Sequence, residues 1–377
     1  MSSIAFVTKG LGWGGAEKLL INLANYFTKN KKHKVIVIAL SSNTSQKKFL
    51  SENVHLHYAK KRFRFDFFTP VFKIIQILRE GDVDIVIPFG MYELFFIFFA
   101  RKFLTKTINV FVSIHSTTQK NLYIHLQHFL YAKFLKNQDK IISVCQSQAK
   151  YWSYVYNIPL KQFHTIYNGV DTSYFTPDFP DSPILKTSLN ITPNTFIITQ
   201  VATLAEHKQQ ELSISALREL INLSPQVDWR LLLIGSGTPI RLSSLKKMAT
   251  NLGVINHVHF LGVQSDVRPY LKLSSVFILP SNKVETFSVA ALEAMSMDLP
   301  CILTNIGGAS EMIRDEQNGY LIAIGSHTML ANRILDVYSG KISKNLPRQI
   351  VLEKFSSEDC FQNYKIFMGL ENDYETK

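Results

Sequence analysis

The sequence has little cysteine, no long apolar run and few acidic residues in its first half. Its three cysteines, Cys145, Cys301 and Cys360, have no metal-type spacing, which excludes a disulfide scaffold and indicates free thiols in a reducing compartment. The N-terminus lacks the charged start and apolar core of a signal peptide. No uncharged apolar run reaches the roughly 18 residues that a membrane-spanning helix needs, and the nearest candidate, Leu94–Ala100, is flanked by charged residues. These absences predict a cytosolic protein without a spanning helix.

The scarcity of acidic residues gives the first half a strong positive charge. Residues 1–170 contain 23 Lys and Arg against 8 Asp and Glu, whereas residues 171–377 contain 18 against 21. A basic half is attracted to an anionic membrane face, an anionic substrate or nucleic acid. A lysine-rich surface that only keeps the protein soluble gives the same composition, so the charge leaves these alternatives open.

Strands and helices alternate along both halves of the chain. Each half is predicted to contain five apolar strands, of which Ile4–Val7 and Phe196–Val201 are the first. Such alternation is typical of a parallel sheet with crossover helices. A segment rich in proline and aspartate, Thr176–Pro183, separates the halves. The prediction is an α/β protein of two doubly wound parallel-sheet domains, residues 1–175 and 184–352, with a ligand at the carboxyl ends of the strands in a cleft between them.

Two carboxylates of the second half, Glu285 and Glu293, have seven residues between them. Glu285 follows the apolar strand Val276–Leu279, and Glu293 lies within an alanine-rich helical stretch. A carboxylate among apolar neighbours lies either on the solvent face or buried with hydrogen-bond donors. A ribose diol supplies two such donors to Glu293, and Glu285 can reach the hydroxyls of a sugar. The pair therefore predicts a site for a sugar nucleotide.

Backbone groups near these carboxylates suit a phosphate. The N–H groups of Thr286, Phe287 and Ser288 open the predicted helix, where the helix dipole favours an anion. The pair Gly307-Gly308 makes a tight turn after the next strand, at the same sheet edge. Lys208 follows the first strand of this half and points a cation towards that edge. A lysine in an exposed loop that binds no ligand would give the same sequence pattern.

Two motifs of the first half suggest other proteins. Gly10-Leu-Gly-Trp-Gly-Gly15 matches the dinucleotide fingerprint, but no acid closes the next strand to bind a ribose. A turn that faces a phosphate, or a tight turn without a ligand, is favoured over an NAD site. Asp82-Val-Asp84 has the form of a metal–diphosphate motif, but Asp84 opens its strand. Ligands of a parallel sheet bind at the other end, so a solvated strand entry is favoured.

His115 ends the strand Asn109–Ile114, at the carboxyl edge of the first predicted sheet. An imidazole there can donate to a sugar hydroxyl or to a developing negative charge. A hydrogen-bonded structural histidine gives the same pattern. His125 and His128 have no evident third ligand, so no metal site is predicted.

Taken together, these residues resemble the retaining glycosyltransferases of family four, of the type that builds bacterial surface polysaccharides. That family has the GT-B fold of two Rossmann-like domains facing a cleft, and the resemblance covers essentially the whole chain. The matching motifs are Gly14-Gly15-Ala-Glu17, Ser113-Ile-His115, Ile166-Tyr-Asn-Gly-Val-Asp171, Glu285-x7-Glu293 and Gly307-Gly308-x-x-Glu311. The resemblance also implies a C-terminal helix, within residues 353–377, that crosses back onto the first domain.

The resemblance implies roles for the matched residues. His115 and Glu285 are the expected catalytic residues: His115 contacts the transferred sugar and helps to stabilise the transition state, and Glu285 holds sugar hydroxyls. The diphosphate is assigned to Lys208, the ribose to Glu293, and the base to backbone at Gly262-Val263. The family needs no metal, so neither metal nor cofactor is expected. The complete expected donor-binding set is Gly14, Gly15, Thr203, Lys208, Gly262, Val263, Thr286, Phe287, Ser288 and Glu293.

One position departs from the family pattern V-G-R-L-x-x-x-K. This chain reads Val201-Ala-Thr203-Leu-Ala-Glu-His-Lys208, so Thr203 replaces the arginine and one cation is missing. His207 and Arg268 are the candidates to compensate. A non-catalytic GT-B subunit that binds a sugar nucleotide or a partner is therefore the competing interpretation, and the intact pair of glutamates weighs against it.

Basic and aromatic residues interleave near residue 60 of the first domain. Such stretches can bind single-stranded nucleic acid, but no nucleic-acid module accompanies this one. The pattern favours an enzyme that lies on the anionic inner face of the plasma membrane. The residues expected to contact the acceptor or the membrane are Lys60, Lys61, Arg62, Phe63, Arg64 and Phe65.

The predicted activity is that of a metal-independent glycosyl transferase acting on a nucleotide sugar with retention of configuration. A UDP-sugar is favoured as donor, and a GDP-sugar is the alternative. The expected acceptor is a lipid-linked saccharide or glycolipid in the biosynthesis of lipopolysaccharide, capsule or another cell-surface polysaccharide. A transferase acting on a soluble acceptor is the nearest alternative.

Overall fold

A computed structural model describes residues 2–12, 14–29, 33–43, 45–63, 66–116, 122–342 and 346–370, and only the backbone of residues 122 and 123. The chain forms two compact α/β units. Unit 1 comprises residues 1–168 and 360–377, and unit 2 comprises residues 169–359. No helix formed by the described residues is both long and apolar enough to cross a membrane.

Unit 1 is built on a parallel sheet with seven strands among its described residues, in the order β3-β2-β1-β4-β5-β6-β7. Every residue of the inner strand β1 is buried, as expected for a parallel strand covered on both faces. The strands are β1 (Ser3–Thr8), β2 (Lys34–Ala39), β3 (Val54–Tyr58), β4 (Ile85–Pro88), β5 (Asn109–Ile114), β6 (Lys140–Ser143) and β7 (Phe163–Thr165).

Helices cover both faces of this sheet. Side chains of α2 (Phe68–Glu80), α3 (Met91–Ala100) and α5 (Gln146–Tyr156) pack into one apolar core, and α4 (Leu122–Ala132) packs against α3. The other core receives α1 (Gly15–Thr28). It is completed from the far end of the chain by α14 (Ser357–Phe367), whose Tyr364 is fully buried there.

Unit 2 contains a second parallel sheet, with six strands in the order β10-β9-β8-β11-β12-β13 among the residues described. The strands are β8 (Thr195–Val201), β9 (Asp228–Ile234), β10 (Val258–Gly262), β11 (Val276–Leu279), β12 (Cys301–Thr304) and β13 (Gly319–Ile322). The helices are α6 (Pro183–Ser188), α7 (Gln210–Leu223), α8 (Pro239–Asn251), α9 (Arg268–Leu273), α10 (Val289–Ser296), α11 (Ala309–Met312), α12 (His327–Tyr338) and α13 (Leu346–Lys354).

The segment between Gly169 and Pro183 is fixed to unit 2 by side chains that reach its carbonyl groups. Arg348 donates to the carbonyls of Thr172 and Phe175 at 3.1 and 3.0 Å. Lys272 donates to the carbonyl of Pro177 at 2.6 Å. The proline- and aspartate-rich stretch predicted as a linker is thus hydrogen-bonded to unit 2.

Candidate functional site

The carboxyl edge of the sheet in unit 2 brings together most of the predicted donor-binding residues. Lys208 follows β8, Gly262 ends β10, and the turn after β11 carries Glu285 to Ser288. Helix α10 begins at Val289 with Ser288 as its N-cap, whose hydroxyl accepts the N–H of Ala291 at 3.2 Å. The N–H groups of Thr286 and Phe287 therefore precede the helix rather than open it.

Lys208 and Glu285 contact each other directly. The ammonium group of Lys208 donates to the Glu285 carboxylate, and the hydroxyl of Ser281 donates to the same oxygen at 3.1 Å. The side chains of the pair are only 17% and 18% exposed, so water screens their charges weakly. The residue expected to bind a diphosphate and the residue expected to bind a sugar thus form one ion pair.

Two buried glutamines hold the loop that carries Lys208. The Gln200 side chain donates to the backbone carbonyl of Lys208 at 2.7 Å and accepts the Ser213 hydroxyl at 2.7 Å. The Gln210 side chain donates to the carbonyl of Thr203 at 2.9 Å. Sequence reasoning missed both residues, although a glutamine at the end of an apolar strand was a usable signal for Gln200.

The turn after β12 packs tightly against the turn after β11. The N–H of Gly308 donates to the carbonyl of Thr286 at 2.7 Å. Gly307 has a φ of +56°, and any Cβ atom there would collide with the carbonyl oxygens of Glu285 and Thr286. Only glycine allows this approach, so Gly307 helps to fix the backbone of Glu285.

Two predicted site residues are buried close to this edge. Glu293 lies inside α10 and is 7% exposed. The Phe287 ring is buried against Phe355, with ring centroids 5.5 Å apart. Phe287 can therefore offer a ligand its backbone but not its ring.

Residues on the β8–β10 side of the sheet edge differ in their exposure and in the contacts that their side chains already make. Thr203 is exposed, as is Val263, and Gly262 has a φ of +64° with open space where a Cβ would stand. Arg268 binds both carboxylate oxygens of Asp266 and stacks 3.4 Å from the centre of the Tyr174 ring. The guanidinium group of Arg268 is thus paired with a carboxylate, as the ammonium group of Lys208 is, and its part as the compensating cation stays a prediction.

His115 lies at the carboxyl edge of the sheet in unit 1 and takes part in a buried hydrogen-bond chain. Its Nε2 atom is 3.0 Å from the Ser113 hydroxyl, which is 3.0 Å from the hydroxyl of Tyr364. The imidazole stacks on Phe89 with centroids 4.9 Å apart. Burial lowers the pKa of His115 to about 4, so the ring is neutral near pH 7. The structure therefore supplies a neutral hydrogen-bonding group at this position.

Gly14 and Gly15 begin helix α1, with Gly14 as the N-cap. They lie at the end of the glycine-rich turn after β1, at the same sheet edge as His115.

Asp84 accepts the N–H of Ser3 at 2.8 Å and forms an ion pair with Lys106 at 2.7 Å. Asp84 of the motif Asp82-Val-Asp84 thus has a structural role where its strand begins.

The segment expected to contact the acceptor or the membrane forms a loop ahead of α2. The carboxylate of Asp66 accepts the N–H groups of Arg62 and Thr69 at 2.8 and 3.1 Å. Lys61 lies over the Tyr92 ring, while Lys60 and Phe63 are exposed. Arg64 and Phe65 lie outside the described residues.

Chemically, the edge in unit 2 offers the Lys208 ammonium group, the carboxylates of Glu285 and Glu293, and backbone N–H groups ahead of a helix. Such a set can bind an anion and a polyhydroxyl group side by side. No group of three or more potential metal ligands occurs among the residues that the structure describes.

Comparison with known proteins matches both halves of the chain. Residues 13–174 match the model described as Glycosyltransferase Family 4, and residues 181–351 match Glycosyl transferases group 1. N-acetyl-alpha-D-glucosaminyl L-malate synthase of Bacillus anthracis is 24% identical over 299 residues, 78% of this chain and 76% of that protein. UDP-Gal:alpha-D-GlcNAc-diphosphoundecaprenol alpha-1,3-galactosyltransferase of Escherichia coli is 30% identical over 222 residues, 58% of this chain but only 54% of that protein.

The crystal structure of Anabaena Alr3699/HepE in complex with UDP aligns with a TM-score of 0.85 and 20% identity, over 98% of this chain and all of that one. A complex of the same protein with UDP-glucose aligns with a TM-score of 0.84. The chain therefore has the GT-B fold, and by the two domain models that its halves match in series it belongs to the glycosyltransferases.

Proposed function

We propose that this protein transfers a glycosyl unit from a nucleotide sugar to an acceptor with retention of configuration. The observation that carries the proposal is the contact of Lys208 with Glu285 beside the N-terminal end of α10. A cation for a diphosphate and a carboxylate for sugar hydroxyls are adjacent there, as the diphosphate and the sugar bonded to it in a nucleotide sugar require.

In this proposal Lys208 and the backbone N–H groups of Thr286 and Phe287 bind the diphosphate. Glu285 holds hydroxyls of the transferred sugar, and Glu293 holds the ribose. The complexes of the Anabaena protein with UDP and UDP-glucose favour a UDP-sugar over a GDP-sugar. Thr203 supplies no charge, so Lys208 is the main cation for the diphosphate.

Transfer proceeds on the front face of the sugar, without a covalent glycosyl-enzyme and without a metal. The departing diphosphate takes the proton of the acceptor hydroxyl, and Lys208 stabilises the charge that develops on the leaving oxygen. His115, neutral near pH 7, donates a hydrogen bond to the sugar. Positioning and charge stabilisation then supply the rate enhancement.

The proposed acceptor is a lipid-linked saccharide or glycolipid of a cell-surface polysaccharide such as lipopolysaccharide or capsule. The name of the E. coli relative gives a diphosphoundecaprenol-linked sugar as its substrate, which supports a lipid-linked acceptor. The name of the B. anthracis relative gives L-malate instead. This favours, as a second candidate, a transferase with a soluble acceptor.

A surface of unit 1 supports the lipid-linked alternative. Phe63, Phe68 and Phe72, on the loop before α2 and on its first turns, are each 65–68% exposed. Residues 94–138, which include most of α3 and all of α4, contain six Lys and Arg and no Asp or Glu. Two of these cations pair with acids outside the range: Arg101 with Asp139, and Lys106 with Asp84. Lys102 lies 4.6 Å from the centre of the Phe98 ring. Exposed aromatic rings near cations suit an anionic lipid surface, and we place the enzyme on the inner face of the plasma membrane.

Replacement of Glu285 by alanine tests the assignment. Sugar transfer from a panel of UDP- and GDP-sugars is measured with EDTA present, using extracted membrane lipids and a soluble extract as separate acceptors. Loss of a group that holds the reacting sugar is expected to lower kcat by about 10²–10³-fold. Turnover near that of the wild type would contradict the role of Glu285.

The matched control is Glu206→Ala, which removes an exposed carboxylate from the loop that carries Lys208. It is expected to retain wild-type activity. Sugar transfer to the lipid extract supports a lipid-linked acceptor, and transfer to the soluble extract supports the second candidate. Nucleotide binding without turnover on either would indicate a non-catalytic subunit.

A further inference from the structure

Thr304 carries a buried hydroxyl group that the protein itself does not satisfy. It is the last residue of β12, and its side chain is 3% exposed. Its Oγ1 atom has no hydrogen-bond partner in the part of the chain that the structure describes. Since buried hydroxyls are nearly always paired, an unpaired one at the carboxyl end of a strand indicates a group that a ligand completes.

The Thr304 side chain lines a cleft beside Glu285. The cleft has a volume of about 10 Å³, which is room for a single hydroxyl or water-sized group, and Ser281 and Ser288 also line it. Its remaining walls are apolar and include Leu279 and Met312. The glycine turn that follows Thr304 hydrogen-bonds to Thr286, so the hydroxyl and the Glu285 carboxylate belong to one rigid edge.

The charges around the cleft decide what kind of group it accepts. Glu285 is the single charged residue among its described lining residues. Lys208, which is outside this lining, pairs with the Glu285 carboxylate. A neutral hydroxyl that enters the cleft can donate to Glu285 or to Thr304.

We propose that Thr304 is a specificity-determining residue whose hydroxyl bonds one hydroxyl of the transferred sugar. The inference rests on the proposed function, because it takes the ligand beside Glu285 to be the sugar of the donor. It assigns to Thr304 a part in choosing between sugars that differ at one hydroxyl.

Replacement of Thr304 by valine tests this, since valine keeps the shape and removes the hydroxyl. Binding of UDP, UDP-glucose, UDP-galactose and UDP-N-acetylglucosamine to the full chain is measured by calorimetry. UDP is expected to bind the variant within twofold of the wild type. The best-bound UDP-sugar is expected to bind about tenfold more weakly. Thr304→Ser, which keeps a hydroxyl, is expected to restore most of the loss.

Thermal unfolding separates a ligand-binding hydroxyl from a structural one. Because the Thr304 hydroxyl is unpaired, Thr304→Val is expected to raise Tm by about 2–4 °C. The matched control is Thr199→Val on β8. The Thr199 hydroxyl is equally buried but lies 2.5 Å from the Ser274 hydroxyl. This control is expected to lower Tm and to leave the ratio of UDP to UDP-sugar affinity unchanged.

The outcomes separate this inference from the proposed function. A wild-type chain that binds neither UDP nor a UDP-sugar refutes the proposed function. Wild-type binding together with an unchanged sugar preference in Thr304→Val overturns only the role of Thr304, as does a fall in Tm of that variant.

Discussion

Glu93 is a buried carboxyl group in the first turn of α3, beside the glycine-rich turn after β1. It is 5% exposed, and its carboxylate accepts the backbone N–H of Lys9. Gly90 makes room for it, since a Cβ there would lie 2.6 Å from Oε2 of Glu93. Burial raises the pKa of Glu93 to about 7; the Lys9 charge opposes this rise, and the Glu17 charge adds to it. This carboxyl group therefore titrates close to physiological pH.

Titration of Glu93 makes the stability of unit 1 depend on pH. Because the pKa is raised in the folded state from 4.5 to about 7, folding favours the protonated form. The contribution of Glu93 to stability is fully present below about pH 4.5 and is lost as the pH rises through 7. Ionisation of this group costs up to about 3 kcal/mol at pH 8. Glu93→Gln is therefore expected to stabilise the protein more at pH 8 than at pH 5, as measured by Tm at each pH.

The control for this prediction is Glu80→Gln, which changes an exposed carboxyl group on α2. Its effect on Tm is expected to be the same at both pH values. An effect of Glu93→Gln that is equally independent of pH would show that the Glu93 carboxyl group does not titrate in this interval.

Single residues of the site differ in how far the sequence predicted them. Lys208 and Glu285 were each proposed from motif and position, but their contact joins residues 77 positions apart and depends on the sheet order β8-β11. Arg268 was a candidate to compensate for the missing cation, and its ion pair with Asp266, two residues away in the sequence, was open to prediction but was not predicted. Nothing in the sequence distinguishes Thr304, because an unpaired hydroxyl is a property of its surroundings.

At the scale of elements, every inner strand was predicted, whereas three of the four edge strands were missed. The five strands predicted in each half correspond to inner strands and one edge strand, β10, whereas β3, β7 and β13 were missed. Each of these three lies at the edge of its sheet. Edge strands are covered less completely, so their sequences need no apolar run. β3 reads Val-His-Leu-His-Tyr and is only partly buried, and β7 has three residues.

The exposed phenylalanines before and within α2 lead to a prediction at this scale. Simultaneous replacement of Phe63, Phe68 and Phe72 by serine is expected to lower binding to vesicles containing anionic phosphatidylglycerol by at least tenfold, because the rings no longer enter the lipid interface. Co-sedimentation with these vesicles, and with neutral phosphatidylcholine vesicles, measures the effect. Binding of the wild type is expected to weaken with added salt.

The matched control removes two equally exposed apolar residues from unit 2, by Ile184→Ser and Ile240→Ser. This variant is expected to sediment with anionic vesicles as the wild type does. Wild-type chain that stays in solution with anionic vesicles at low salt would contradict the membrane proposal.

At the scale of the whole molecule, unit 2 is continuous in sequence and unit 1 is not. Unit 1 needs Cys360, Tyr364, Met368 and Leu370 to fill its second core. Val170 pairs with Ser356, so the chain enters and leaves unit 2 at neighbouring points. Alternation of strands and helices predicted two domains, and the family resemblance implied that a C-terminal helix returns to the first. The buried face of α14 lies in the second core of unit 1.

Fragments test this division. Residues 169–359 alone are expected to unfold cooperatively, with a Tm that rises when UDP is added, because the proposed donor site lies within unit 2. Residues 1–168 alone are expected to aggregate or unfold, because an apolar face of α1 and its sheet stays exposed. A chain in which a short Gly/Ser linker joins residue 170 to residue 356 restores α14 and is expected to recover a folded unit 1. A cooperative melt of residues 1–168 alone would contradict this account.

The burial of Tyr364 under Ser113 also has a consequence for the order of events during synthesis. At about 5–20 residues per second, roughly 10–40 s separate the emergence of residue 168 from that of the C-terminal helix. During this interval the second core of unit 1 lacks α14, and the hydrogen-bond chain from His115 ends at Ser113. Unit 2 begins later in the chain, but its last residue is synthesised before the C-terminal residues that complete unit 1. A chain released after residue 359 but before the end of α14 therefore contains every residue of unit 2, while the hydrogen-bond chain from His115 to Tyr364 is not yet formed.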